Sequence, residues 1–258
     1  MTATLILFFY ALLFGLVIGS FLNVCIYRIP NNMSIVFPPS SCPKCKNKIK
    51  WYDNIPVLSF IILRAKCRNC GQKISFEYPA IELLTGLLTV LFVWRFGISW
   101  WTPAVLTVVY CLITLSVIDM HTMIIPDRFS IGLTVFALAF SFLNPAFSAT
   151  PWDKFISALI GGSIGFLGLW ALAIFGQFVF KKESMGGGDI KLMAAIGALA
   201  GWMGVINTLV VSSFAGIAYF GVLMLLKKDL GDRTIPFGPF LSVGLLVNLL
   251  MPGQMLFY

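Results

Sequence analysis

Charge is what this sequence lacks first. Only 11% of its 258 residues are Asp, Glu, Lys or Arg, against 59% that are hydrophobic. A soluble domain carries roughly a quarter charged residues, so a soluble globular protein is excluded and a polytopic membrane protein is left. The marks of a removable signal are missing too. The opening stretch 1-MTATLILFFYALLFGLVIGSFLNVCIYR-28 has no basic segment before its apolar core and no small-residue cleavage site after it, so it is expected to remain as a helix. No inverted repeat is evident either, which weighs against a transporter, since many transporters are built from such repeats.

What is present is a series of apolar runs, and a helix needs about 20 such residues to cross a bilayer. Eight spans are expected: about Leu5–Ile26, Ala80–Trp94, Trp101–Ile118, Phe129–Leu143, Phe155–Phe180, Ile190–Ala200, Val205–Leu226 and Phe237–Leu250. Residues 80–118 are too long for one helix, and Arg95, Gly97, Trp100, Trp101 and Pro103 mark an interfacial turn between two. Residues 190–226 are also too long. Basic residues flank both ends, so an even number of crossings is required, with the break at 201-GWMG-204.

Charge then orients the spans. With that topology, all but two of the 18 basic residues fall on one side, and only Arg95 and Lys154 on the other. The positive-inside rule makes the crowded side cytoplasmic, with both termini outside. The formal net charge of +8 is therefore mostly topological and no nucleic-acid signature. Contact with membrane lipid, through anionic headgroups, is expected as a secondary effect of that charge.

The largest polar segment, about residues 28–78, lies between the first two spans and holds 42-CPKC-45 and 67-CRNC-70. Two Cys-x-x-Cys pairs with 21 residues between them have the spacing of a four-thiolate zinc site, Cys42, Cys45, Cys67 and Cys70. Disulfides and free thiols are the competing readings, and disulfides are disfavoured in a reducing cytoplasmic loop. So small an insert buries little apolar surface and needs a staple. Cys25 and Cys111 lie within spans, as small apolar packers.

Carboxylates at membrane depth are costly, and two stand out. Asp119 closes the third span and Asp189 opens the sixth, after three glycines. The third span runs inward, the fourth and fifth go out and back, and the sixth starts inside. Asp119 and Asp189 therefore share the cytoplasmic face. Two acids at one depth can form an aspartyl dyad, one deprotonating water and the other donating to a carbonyl oxygen. Gly186, Gly187 and Gly188 would let backbone approach an extended substrate. Interfacial caps or salt-bridge partners, Asp189 with Lys191, are the alternative.

The motifs carry a resemblance. The run 186-GGGD-189 fits the Gly-x-Gly-Asp pattern of intramembrane aspartyl proteases, and nearly the whole chain resembles the type IV prepilin peptidases, the leader peptidase/N-methyltransferases of pilus, type II secretion and competence systems. The matching stretches, in order, are 19-GSFLNVCIYRIP-30, both Cys pairs, 51-WYDNIPVLSF-60, 76-FEYPAIELLTG-86, Asp119 with 126-PD-127, GGGDIK and 236-PFGPFL-241. The resemblance implies an aspartic endopeptidase of the bacterial inner membrane. Its substrates would be prepilins or pseudopilins, cut after a glycine at the cytoplasmic face, and it would serve pilus or secretion assembly machinery indirectly. It implies Asp119 and Asp189 as the catalytic pair, with Asp127 a structural neighbour. It further implies methylation of the new N-terminus from S-adenosylmethionine by the zinc-held insert.

The architecture expected is all-α: a first transmembrane helix (1–27), a cytoplasmic zinc-binding insert (28–78) and a seven-helix peptidase core (79–258). One departure touches methylation. The family reads Arg-Gly-Lys/Arg-Cys before the second Cys pair, and this chain has 64-RAKC-67. Ala65 is expected to take an ordinary backbone conformation there. No Gly-rich nucleotide loop is recognisable, so the methyl-donor site is not placed. His121, the only histidine, is expected to be an interfacial bystander. Asp229 and Asp232 are expected to be solvated. Two non-peptidase readings remain: a zinc-regulated transporter or channel using Asp119 and Asp189 as ion ligands, and a scaffold that docks through its zinc insert.

Overall fold

A computed structural model describes residues 2–147, 150–181, 185–226 and 236–251. Among the described residues eight α-helices follow one another: α1 (Thr2–Arg28), α2 (Leu58–Ile62), α3 (Glu77–Phe96), α4 (Trp101–Thr122), α5 (Asp127–Phe140), α6 (Pro151–Phe180), α7 (Gly187–Leu225) and α8 (Gly238–Leu250). No strand occurs among the described residues, and the architecture is all-α. Every expected span falls in a helix. Five of them, α1, α3, α4, α6 and α7, are long and apolar enough to cross a membrane. At 14 and 13 residues, α5 and α8 are shorter than the roughly 20 that a bilayer requires.

The chain divides into two compact units, Met1–Thr114 and Leu115–Tyr258, the boundary falling within α4. In the first, α1 packs on α3 through small residues. A Cβ at Gly15 would meet the Gly86 backbone at 2.7 Å, and one at Gly19 would meet that of Glu82 at 2.7 Å. The Gly-x-x-x-Gly spacing lets the two backbones approach where lipid offers no hydrophobic drive for helix pairing. Polar groups from the quoted motifs join the pair. Asn23 donates to the Tyr78 carbonyl at 3.1 Å, and the buried Glu82 accepts the Val57 N–H at 2.8 Å.

In the second unit α7 packs against α5, α6 and α8. Gly161 of α6 and Gly197 of α7 face each other, and a Cβ on either would collide with the other's backbone carbonyl. Thr150, Pro151 and Asp153 open α6 with a capping box and a proline in the first turn. The break expected at 201-GWMG-204 is present. Gly201 stands at φ 72°, ψ −178° inside α7, a backbone conformation that favours glycine. The helical backbone path is broken there, and the buried Asn144 amide donates to the Leu199 carbonyl at 2.7 Å. A straight helix of 39 residues would measure about 58 Å, roughly twice the hydrocarbon thickness. The break and that length fit two crossings.

Candidate functional site

Asp119 lies in the last turn of α4, buried at 5% exposure. Met123, at φ 57°, turns the chain just past the helix end, its N–H donating to the Asp119 carbonyl at 2.8 Å. This turn leads to Ile125, which is buried, and Pro126 then precedes α5. Asp189 occupies the first turn of α7. Ile125 connects the surroundings of the two acids. A Cβ on Gly188, next to Asp189, would meet Ile125 Cβ at 2.8 Å. A Cβ on Gly238 would meet Ile125 Cδ1 at 3.0 Å and Asp119 Oδ2 at 2.7 Å. The two carboxylates lie within electrostatic range of each other.

Their hydrogen bonding differs. Asp119 Oδ2 accepts the backbone N–H of Gly238 at 3.0 Å, the first residue of α8, so the positive end of that helix faces the carboxylate. Asp189 Oδ1 is buried and has no hydrogen-bond partner among the described residues. Sequence reasoning missed Gly238, because a backbone amide has no side-chain signature. Only its place in 236-PFGPFL-241 singled it out.

The remaining candidates separate clearly. Lys191 Nζ pairs with Asp127 Oδ1 at 2.7 Å, tying the start of α7 to that of α5, so the salt-bridge partner of Lys191 is Asp127. Of the three glycines, Gly186 precedes α7, Gly188 is packed on Ile125, and Gly187 faces open space. His121 is exposed on the last turn of α4. Asp229 and Asp232 lie outside the described residues.

In the first unit all six cysteines are free thiols. The Sγ atoms of Cys42, Cys45, Cys67 and Cys70 lie within 4.8 Å of one another. Two turns of the same build hold them. Cys42 N–H donates to Asn47 O at 3.0 Å and the Cys42 carbonyl accepts from Lys46 N–H at 2.9 Å; Cys67 N–H donates to Gln72 O at 2.8 Å and the Cys67 carbonyl accepts from Gly71 N–H at 2.9 Å. Lys46 and Gly71 occupy equivalent places, both at positive φ, 59° and 69°. Lys44 bridges the turns through Gln72 Oε1 at 3.1 Å. Arg68 anchors the second turn to Asp53 through Nε and Nη2, with three bonds at 2.6, 2.9 and 3.1 Å. Zinc–sulfur bonds of about 2.3 Å in a tetrahedron place sulfurs about 3.8 Å apart, and Cys42 and Cys70 stand at 3.9 Å. Backbone N–H groups of Cys45 and then Lys44 hold the Cys42 thiol down to about 6, while its neighbour Cys45 is pushed up to about 11. The four-cysteine set fits a metal ion.

Ala65 departs from expectation. It stands at φ 57°, beside Arg64 at φ 51°, in the left-handed region where a Cβ crowds the following carbonyl. Its backbone is fixed from both sides, with Ala65 N–H on Phe60 O at 2.9 Å and Ile74 N–H on Ala65 O at 2.8 Å. The turn demands the conformation, and alanine adopts it under strain.

The two acids, the glycine-rich approach to one of them and the four-cysteine insert are joined by sequence likeness. The pattern of the Bacterial Peptidase A24 N-terminal domain matches residues 13–96, and that of the Type IV leader peptidase family matches residues 106–221. The chain is 36% identical over 253 residues to a prepilin leader peptidase/N-methyltransferase of Xanthomonas campestris pv. campestris, covering 89% of this chain and 86% of that one. The chain belongs to the type IV leader peptidase family. Relatives of the same description include one of Pseudomonas aeruginosa, 34% identical with 94% of this chain and 90% of that one covered. Another, of Myxococcus xanthus, is 40% identical, with 85% of this chain and 64% of that one covered. No solved structure matches. With five long apolar helices, this member of the family is a multi-pass membrane protein.

Proposed function

We propose that the chain is an aspartic endopeptidase of the bacterial inner membrane that removes the leader from type IV prepilins or pseudopilins, and that it methylates the new N-terminus. The observation that carries the reading is the unequal pair: Asp119 under the Gly238 amide, and Asp189 with a buried oxygen that no donor among the described residues serves. Both acids stand at helix N-termini, Asp119 against α8 and Asp189 in the first turn of α7, so what separates them is the Gly238 N–H on Asp119 against the unserved Oδ1 of Asp189. A carboxylic acid that stays protonated at Asp189 needs no donor at Oδ1 and can itself donate. Asp119 is then the base and Asp189 the acid.

In this scheme Asp119 takes a proton from water as the oxygen attacks the scissile carbonyl carbon, and Asp189 donates its proton to the carbonyl oxygen. Collapse of the tetrahedral intermediate breaks the C–N bond. The proton held by Asp119 goes to the departing amine, and the hydroxyl proton returns to Asp189, so both acids are restored. Gly187, with open space beside it, is where an extended substrate's backbone would approach. Asp127 with Lys191 holds the helix starts that frame the site.

The four cysteines would hold structural zinc, whose closed thiolate shell leaves no position for water. S-adenosylmethionine, as methyl donor, would supply an electrophilic methyl group for the pilin amine. The charge distribution supports a cytoplasmic location for the insert and for both aspartates. Purified protein in lipid, given a prepilin and the methyl donor, should yield a trimmed and methylated pilin by intact mass. Asp119→Asn and Asp189→Asn should each leave the prepilin uncut while still folding. Normal trimming by either variant would remove that residue from the mechanism, and ion flux without cleavage would favour a channel.

A further inference from the structure

A cavity of about 360 Å³ lies where α1 meets the insert. One wall is a single face of α1, Val17, Phe21, Val24 and Arg28, and Val36 and Pro38 close it from the insert. No acidic residue lines it. From Arg28 at the helix end to Val17 is about 16 Å along the axis, roughly half the hydrocarbon thickness. The cavity thus has a cationic end at the membrane boundary and an apolar wall running inward.

Arg28 is the unusual member. It is 8% exposed, and buried charges are ordinarily paired. Its two terminal nitrogens donate to the Ser34 carbonyl at 2.8 Å and the Pro38 carbonyl at 2.6 Å. A guanidinium has five N–H donors, and no carboxylate among the described residues forms an ion pair with it. The chain just beyond it is apolar and exposed, with Ile35 at 42%, Val36 at 67% and Phe37 at 72%. Such residues at the end of a membrane helix are suited to the headgroup–acyl boundary.

We propose that this cavity binds one anionic phospholipid, its phosphate on the free N–H groups of Arg28 and an acyl chain along Val24, Phe21 and Val17. The phosphate supplies the missing counter-charge, and cationic pockets at the cytoplasmic ends of membrane helices bind such headgroups. A soluble anion would satisfy Arg28 but leave the apolar wall uncovered, so the bilayer is the source.

The test is native mass spectrometry of the full chain released from nanodiscs of equal phosphatidylglycerol and phosphatidylcholine. The wild type should retain one phosphatidylglycerol in at least about tenfold preference. Arg28→Gln, which removes the cation, and Val24→Trp, which fills the cavity and keeps it, should both lose that preference with metal content unchanged. Equal retention of the two lipids by the wild type overturns the proposal, as does phosphatidylglycerol retained undiminished in both variants. Displacement of the lipid by millimolar inorganic phosphate or S-adenosylmethionine would assign the cavity to a soluble ligand and overturn it too. Should both variants lose metal, the wild-type preference and the displacement experiment decide alone.

Discussion

The Gly238 backbone N–H donates to Asp119 Oδ2 at 3.0 Å, across 119 positions of sequence, and no side chain fits at Gly238. A Cβ there would stand 2.7 Å from that same oxygen and 3.0 Å from Ile125 Cδ1, too close for either to stay in place. Gly238→Ala should therefore disturb Asp119 while leaving α8 able to form. A hydrogen bond to a charged group contributes about 1.5–3 kcal/mol, so cleavage should fall by roughly 10- to 100-fold. Leader removal assayed on protein of unchanged thermal midpoint checks it. Wild-type cleavage by Gly238→Ala would detach this amide from the chemistry.

The aspartates themselves should be far more sensitive. General acid–base roles contribute roughly 10²–10⁴-fold each, and groups acting as a unit lose nearly everything when either is removed. Asp119→Asn and Asp189→Asn should each abolish trimming, and the double variant should be no worse than either single one. Asp127→Asn should be milder, because its partner Lys191 is exposed and such pairs contribute little. Single-turnover cleavage of a prepilin distinguishes the three. Multiplicative losses in the double variant would mean that the two acids act separately.

How far the sequence led can be read at particular residues. The apolar runs located every long helix, though α5 and α8 came out shorter than a bilayer requires, and Gly201 marked the break in α7 because length demanded one where glycine stood. Span parity brought Asp119 and Asp189 to one end without any contact being known. Contacts made by backbone groups were not legible: the Gly238 amide, the Leu199 carbonyl taken by Asn144, and the Phe60 and Ile74 bonds that fix Ala65. Arg28 reads in sequence as one more cytoplasmic positive charge. Only folding shows that it is buried, because the chain from Ser34 to Pro38 must first curl over it.

The metal centre should contain one Zn²⁺ per chain. A structural zinc site supplies on the order of 10 kcal/mol to folding, more than an insert of this size could otherwise muster. Cys42→Ser or Cys70→Ser should lower the zinc content by elemental analysis and open the insert to protease. Methylation of an already trimmed pilin should suffer more than cleavage. Freshly purified, unchelated protein without zinc would defeat the assignment.

Orientation is tested independently of activity. Cysteine introduced at Lys154, at the start of α6, should react with an impermeant reagent on intact cells. Cysteine at Lys48, in the first metal-binding turn, should react only after permeabilisation. Labelling at Lys48 in intact cells would invert the topology and move both aspartates to the outer face.

Ala65 offers a prediction in which two opposed effects must be weighed. Holding a residue with a Cβ in the left-handed region costs about 1–2 kcal/mol, and Ala65→Gly relieves that strain. Glycine also gives the unfolded chain more freedom, which takes back about 0.4–1 kcal/mol. Strain is the larger of the two, so the change should stabilise the zinc-loaded insert by about 0.5–1 kcal/mol, raising its thermal midpoint by a few degrees. Ala65→Val should lower it, since a branched Cβ is worse still at φ 57°. If the strained turn also limits methyl transfer, Ala65→Gly should speed methylation of a trimmed pilin and leave leader cleavage untouched, because Asp119 and Asp189 do the cutting. A midpoint unmoved by glycine would mean that Phe60 and Ile74 hold the turn hard enough to make its strain irrelevant. Equal methylation by the glycine, alanine and valine forms would separate this turn from methyl transfer altogether.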